Sequence, residues 1–224
     1  MVGCTTENTV AVIDPQIDIE LYMKTAERHK LSIDIVIDTH THADHQSGAR
    51  KLAKLTGAKL FMHKNSEVNG VDQKLVDSNK FYIGNRHFQV ISTPGHTSDG
   101  ITLYVDDWYL LTGDTLFVGD VGRVDLALGR LEEGVVEANA AKLYGSIQKL
   151  LRLPEWTEVY PGHFAGSACG KGMSGKMIST LGRERKKNSA LSMAKAEFIK
   201  YVTSNQPDMP NDYKKTKLAN VGED

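Results

Sequence analysis

The sequence predicts one layered domain of mixed helices and strands, α/β or α+β. Three observations carry that reading. Short apolar runs rich in β-branched residues, each bounded by turn residues, recur through the first 165 residues. Segments with helical apolar spacing lie between them. No internal repeat or low-complexity linker divides the 224 residues, a length that fits one domain and leaves room for a core without disulfide staples.

The elements follow in order. Thr9–Ile13 reads as a strand ending at the Asp14-Pro15 turn, and residues 19–30 read as a helix. Ile33–Ile37 and Lys59–His63 are further strands; between them, residues 47–56 form a helix stopped by Gly57. Lys80–Ile83 and residues 87–92 flank Gly84-Asn85 as a hairpin, and Ile101–Val105 and residues 108–111 flank Asp106-Asp107 as a second one. In residues 132–151, apolar side chains at Val135, Ala138, Leu143, Ile147 and Leu150 keep helical spacing. Residues 158–160 form a last short strand, and residues 192–202 a helix. The domain is expected to run over 1–204, with 205–224 a polar, loosely packed tail.

Composition excludes several classes. Lys and Arg number 27 against 28 Asp and Glu, so no charge surplus speaks for nucleic acid or an anionic membrane as partner. Cys4 and Cys169 are too few for a disulfide scaffold or a Cys-rich zinc finger. No run approaches the ~18 apolar residues of a membrane span, and no basic start leads into an apolar stretch, so the expected location is the cytoplasm.

The chemistry is concentrated in His40-Thr41-His42-Ala43-Asp44-His45, directly after a strand. Neither the alternation of a strand nor the turn of a helix would converge four such side chains, whereas a tight loop can fan them around one small volume. Imidazole and carboxylate ligands suit zinc, iron or manganese, and the absence of nearby thiolates argues against a closed structural zinc site. Three more candidates follow strand ends after Gly or Pro-Gly: His96, Asp114 and His163. Alone, each is an ordinary solvated loop residue; together they form a metal constellation. His29, His63 and His87 lack such a setting and read as structural or surface residues.

His40-x-His42-x-Asp44-His45, then His96, Asp114 and His163, resembles the metallo-β-lactamase superfamily over residues 9–165. The resemblance implies a four-layer αββα sandwich with metals at one edge. It implies two sites, His40, His42 and His96 on one side and Asp44, His45 and His163 on the other, with Asp114 able to bridge. The flavo-diiron pattern has Glu where this chain has His42. The glyoxalase II pattern usually continues Gly-His-Glu-Tyr-Thr where this chain has Gly162-His163-Phe164-Ala165-Gly166. The runs 113–126, 163–170 and 178–188 are instead similar to the persulfide dioxygenase group.

That group implies one Fe(II) per chain on His40, His96 and Asp114, a two-histidine, one-carboxylate face that leaves positions open for a persulfide sulfur and O₂. His42, Asp44, His45 and His163 then orient ligands or move protons. The alternative is a dinuclear zinc thioester hydrolase of the hydroxyacylglutathione hydrolase type, with Asp114 bridging and Asp44 positioning a hydroxide. The expected partners are a small-molecule thiol persulfide such as glutathione persulfide, O₂, a separate sulfurtransferase (no rhodanese-like domain lies within the sequence) and a second copy of the chain. The group also usually carries about a dozen residues before the segment that begins here at Met1, so the first strand is expected to be short.

Two further residues are candidates. Arg123 is placed either to bind a substrate carboxylate or to pair with Asp120 or Asp125. Cys169, six residues after His163, is either a thiol that accepts or hands on sulfur or an inert loop cysteine. Residues 170–177 nearly match a phosphate-binding loop, but Met177 stands where Ser or Thr is required. The charged run 183–187 reads as a solvated helix face.

Overall fold

The computed structural model describes residues 1–126, 134–209 and 212–222. Alternating burial along the strands builds two sheets that face each other. The first has five strands, β1 (Val2–Cys4), β2 (Thr9–Ile13), β3 (Ser32–Ile37), β4 (Lys59–His63) and β5 (Gln73–Leu75), in that spatial order. β2 to β5 run parallel, and β1 lies antiparallel on the edge with only three residues. The second sheet runs β11 (Ser179–Thr180), β10 (Glu158–Pro161), β9 (Tyr109–Gly113), β8 (Ile101–Val105), β7 (Arg86–Ser92), β6 (Lys80–Ile83).

Period-2 alternation separates three apolar layers. In β2, Ala11 joins Ile35, Ile37 and Phe61 between the sheets, where they meet Phe88, Val90, Leu103 and Val105 of the second sheet. Val10 and Val12 point the other way, onto α1 (Glu20–Arg28) and α2 (Ala49–Thr56), which present Ala26, Leu52 and Ala53. On the far face, Leu110 and Val159 pack under α3 (Val135–Leu150) and α5 (Lys195–Thr203) through Leu143, Ile147 and Phe198. Helix, sheet, sheet, helix is the αββα sandwich expected from the resemblance.

Local rules explain most boundaries. α2 ends where Gly57 takes a left-handed conformation (φ 75°), as a helix stop requires. The Asp106-Asp107 turn has φ near 50° at both residues, and Tyr109 rather than Trp108 resumes the sheet. The structure adds the short strands β5 and β11, which weak patterns hid, while β1 is the short first strand expected and α4 (Leu181–Lys187) is the helix that carries the charged run. α3 is described from Val135, so its expected start at 132–133 lies outside the described residues. The expected loose tail is corrected. Tyr213–Val221 is a helix, α6, with Lys217, Asn220 and Val221 buried against the rest of the molecule. Its polar composition misled because those polar side chains are used inward, as hydrogen-bonding groups.

Strand direction places the site. β7 and β8 are antiparallel, as are β8 and β9, and β9 and β10 are parallel. The C-terminal ends of β7, β9 and β10 therefore share one edge. A hydrogen bond from the Ile101 amide to the Thr39 carbonyl, 2.8 Å, brings the end of β3 in the other sheet to the same edge. Leu143, fully buried between α3 and the sheet, is expected to cost about 2–5 kcal/mol when cut to Ala. Lys24→Ala, which removes an exposed pair with Glu20, should leave the urea midpoint unmoved. Equal shifts for the two variants would contradict this layering.

Candidate metal centre

Each predicted ligand sits on a loop leaving one of those strand ends, and neighbours orient each ring. The Thr39 hydroxyl donates to Asp14 Oδ2 at 2.9 Å, so at 3.0 Å it accepts the Nδ1 proton of His40. His40 is thereby left with a bare Nε2. His96 gives its Nδ1 proton to the Arg123 carbonyl at 2.8 Å and likewise presents Nε2. Both rings are buried, and burial first, then neighbouring imidazoles for His40, holds them below the ordinary histidine pKa. They stay neutral, the form that ligates metal.

Asp114, 2% exposed, follows Gly113 at the end of β9. Its Oδ2 lies 3.5 Å from His96 Nε2, 3.9 Å from His40 Nε2 and 3.5 Å from His163 Nε2. Gly122 allows this close approach, since a Cβ there would fall 1.9 Å from the Asp114 carbonyl oxygen. Ligand atoms of His40, His96 and Asp114 fall within 4.8 Å of one another, as do those of His42, Asp44 and His45, so His42 groups here with Asp44 and His45 rather than with His40 and His96 as the resemblance implied. A further group joins Asp44, His163 and Cys169. Asp44 Oδ2 lies 3.2 Å from His163 Nε2 and 3.1 Å from His45 Nδ1. All seven predicted ligands therefore meet at one edge.

The residues fit a divalent cation on an internal criterion. His40 Nε2, His42 Nδ1, His45 Nε2, Asp44 Oδ1 and both Asp114 oxygens are buried with no hydrogen-bond partner. Each such atom costs roughly 1–3 kcal/mol when desolvated and unpaired. Six from five side chains, aimed into one volume, need a shared positive partner.

Other residues hold the scaffold, and the sequence reading missed them. Asp14, read as part of a turn, accepts from the Thr39 amide at 2.6 Å and lies 3.3 Å from His42 Nε2. Asp99 Oδ2 accepts from the Thr41 amide and hydroxyl at 3.0 and 2.6 Å, pinning the chain between His40 and His42. Asp38, pushed up to about 6 mainly by burial, takes the Ser47 hydroxyl at 2.7 Å. The cue for Asp14 is that β2 runs parallel beside β3, so the residues after the two strands are neighbours.

Of the two readings given for Arg123, the structure favours the ion pair. Arg123 does not face a substrate carboxylate. It is 1% exposed, its guanidinium grips Asp125 at 2.7 and 2.9 Å, and Nη1 donates to the carbonyls of Ala168 and Asp208. It ties the Asp114 loop to the segment after His163. Cys169 lies at the metal cluster, but burial, then the charges of Asp114 and Asp44, push its thiol far up. The near phosphate loop is also accounted for: the amides of Lys171 and Gly172 are taken by Asp120 Oδ2 at 2.8 and 2.6 Å.

A buried cluster of these ligands at one edge of an αββα sandwich defines a metal-dependent enzyme class, and comparison with known proteins agrees. Residues 2–163 match the family model of the metallo-beta-lactamase superfamily, and the chain belongs to that family. It is similar to a hydroxyacylglutathione hydrolase of Chromohalobacter salexigens, 31% identical over 69% of this chain and 56% of that one. The chain spans a little over half the length of such curated relatives. Among solved structures, a metallo-beta-lactamase from Staphylococcus aureus superposes with TM-score 0.90 at 31% identity, over 99% of this chain and 68% of that one. ETHE1 from Myxococcus xanthus superposes with TM-score 0.85 at 27% identity, over 98% of this chain and 91% of that one. Among the described residues, no helix is long and apolar enough to cross a membrane.

Metal removal should expose the dependence of this edge on a cation. A ligand present at 100 times its Kd stabilises by about 2.7 kcal/mol. Chelator-stripped protein is expected to melt several degrees below the metal-loaded form and to recover when metal is returned. Coincident melting curves would contradict the fit.

Proposed function

We propose that this chain is a mononuclear iron persulfide dioxygenase, converting a thiol persulfide, O₂ and water to thiol and sulfite. The chemistry is placed at the buried triad His40, His96 and Asp114, two neutral imidazoles and one carboxylate with converging ligand atoms, and the choice of dioxygenase rests on the flanking runs 113–126, 163–170 and 178–188. His40, His96 and Asp114 would hold the iron, which would supply redox access to O₂. Likeness to ETHE1 along 98% of this chain, and the resemblance of residues 113–126 and 163–170 to the dioxygenase group, support the same choice.

The chain's own residues supply orientation and protons. Thr39 and the Arg123 carbonyl keep His40 and His96 in the tautomer that presents Nε2. Burial of the triad excludes bulk water from the reacting sulfur. His163 sits at the rim; burial works against its charge, but Asp44 and Asp114 outweigh it and push its pKa up to about 9. In this reading its Nε2 holds a proton, 3.2 Å from Asp44, for the departing thiolate.

A second reading has a specific observation in its favour. His42, Asp44, His45 and His163 are all in place, and the relatives named as hydroxyacylglutathione hydrolases share the family. Two zinc ions held by the seven residues would serve thioester hydrolysis.

Metal analysis paired with two assays separates the readings. The proposal expects about one iron per chain, O₂ uptake with glutathione persulfide and no turnover of S-lactoylglutathione. Two zinc ions with fast thioester cleavage would reverse it. Asp114→Ala is expected to empty the site. A variant that keeps wild-type metal content would show that the triad is not the metal's holder.

A further inference from the structure

The loop that carries four of the ligands has two separate anchors. Its first half is fixed by Asp99 on Thr41. Its second half is fixed from the far end of the chain. Asn220, on α6, donates through Nδ2 to the carbonyls of His42 and His45, both at 2.9 Å, and its Oδ1 accepts the Ser47 amide at 2.9 Å. One buried amide thus satisfies three backbone groups on a loop 173–178 residues away. α6 itself is fixed on both flanks. The Asn69 amide donates to the Val221 carbonyl at 2.9 Å, and Lys217 Nζ donates to the Leu126 carbonyl at 2.8 Å.

From this geometry we infer that Asn220 is a positioning residue for the His42–Asp44–His45 side of the metal centre, and that docking of α6 sets how tightly that side binds metal. The inference rests on the metal-centre reading, not on the choice between dioxygenase and hydrolase. The physical reason is specific. A carbonyl at 42 and another at 45, drawn to one amide group, set the spacing of the chain on which Asp44 and His45 stand. His96 and Asp114 are carried by β7 and β9 and take no hydrogen bond from Asn220. Loss of the clamp should therefore act on one side of the centre.

Asn220→Asp tests this, since it is isosteric but turns an oxygen toward both carbonyls; Asn220→Ala is the second variant, free of the added charge. Two readouts are taken: amide hydrogen exchange of the metal-free protein, and zinc titration against a competing chelator. Exchange over residues 41–48 is expected to quicken about tenfold or more, while residues 91–100 and 110–115 keep their rates. The wild type is expected to take two zinc equivalents. In the variants one should weaken about 10–100-fold, as when a partner behind a metal ligand is lost, and the other should stay. Unchanged exchange over 41–48 overturns the proposal, as does equal weakening of every equivalent or faster exchange throughout. A wild type that binds no zinc overturns the metal-centre reading by itself, and the exchange data then still decide whether Asn220 clamps the loop.

Discussion

Unpaired lone pairs buried at one sheet edge are the constraint on which the rest of the molecule turns. Nitrogen and oxygen atoms withdrawn from water must find partners, and six on the candidate ligands at this edge find none among the described residues. A chain that accepts such a cost needs a cation to offset it and a rigid frame to keep the donors converged. The frame is visible at four of the ligands. Asp14 and Thr39 stand behind His40, the Arg123 carbonyl behind His96, Asp14 beside His42, and Gly122 against Asp114. These contacts fix tautomer and approach, which the ligands cannot fix for themselves.

The ligands were legible in the sequence and their supports were not, for a physical reason. The strong side-chain ligands of zinc and iron are chiefly His, Cys, Asp and Glu, and the fold delivers them from strand ends, so residue type, spacing and a preceding apolar run together mark His40, His96, Asp114 and His163. A supporting residue needs only a hydrogen-bonding group in the right place. Asp14 looks like a turn former, Asp99 like a loop acid and Asn220 like part of a solvated tail. Their roles arise from tertiary neighbours that local pattern does not encode. The strands with strong alternation were read to within a residue or two, whereas β5 and β11 are three and two residues long and carry almost no period. Arg123 shows the converse. Its type suggested a carboxylate partner, and it has one, but the partner is Asp125 inside the protein rather than a substrate.

Ligand identity narrows the chemistry without selecting it. The seven residues proposed to hold two zinc ions for hydrolysis include the three proposed to hold one iron for oxygen chemistry, so fold and ligand set are common to both readings. Selection then lies in how firmly each side of the centre is organised. The His40–His96–Asp114 side is carried by residues that follow β3, β7 and β9, with the Thr39 hydroxyl and the Arg123 carbonyl behind its two rings. The His42–Asp44–His45 side depends on a loop whose second half is clamped from α6. A centre with one side set by sheet and the other by a docked helix can bind its two metals with different strength, and that difference is what a mononuclear centre within a seven-ligand scaffold requires.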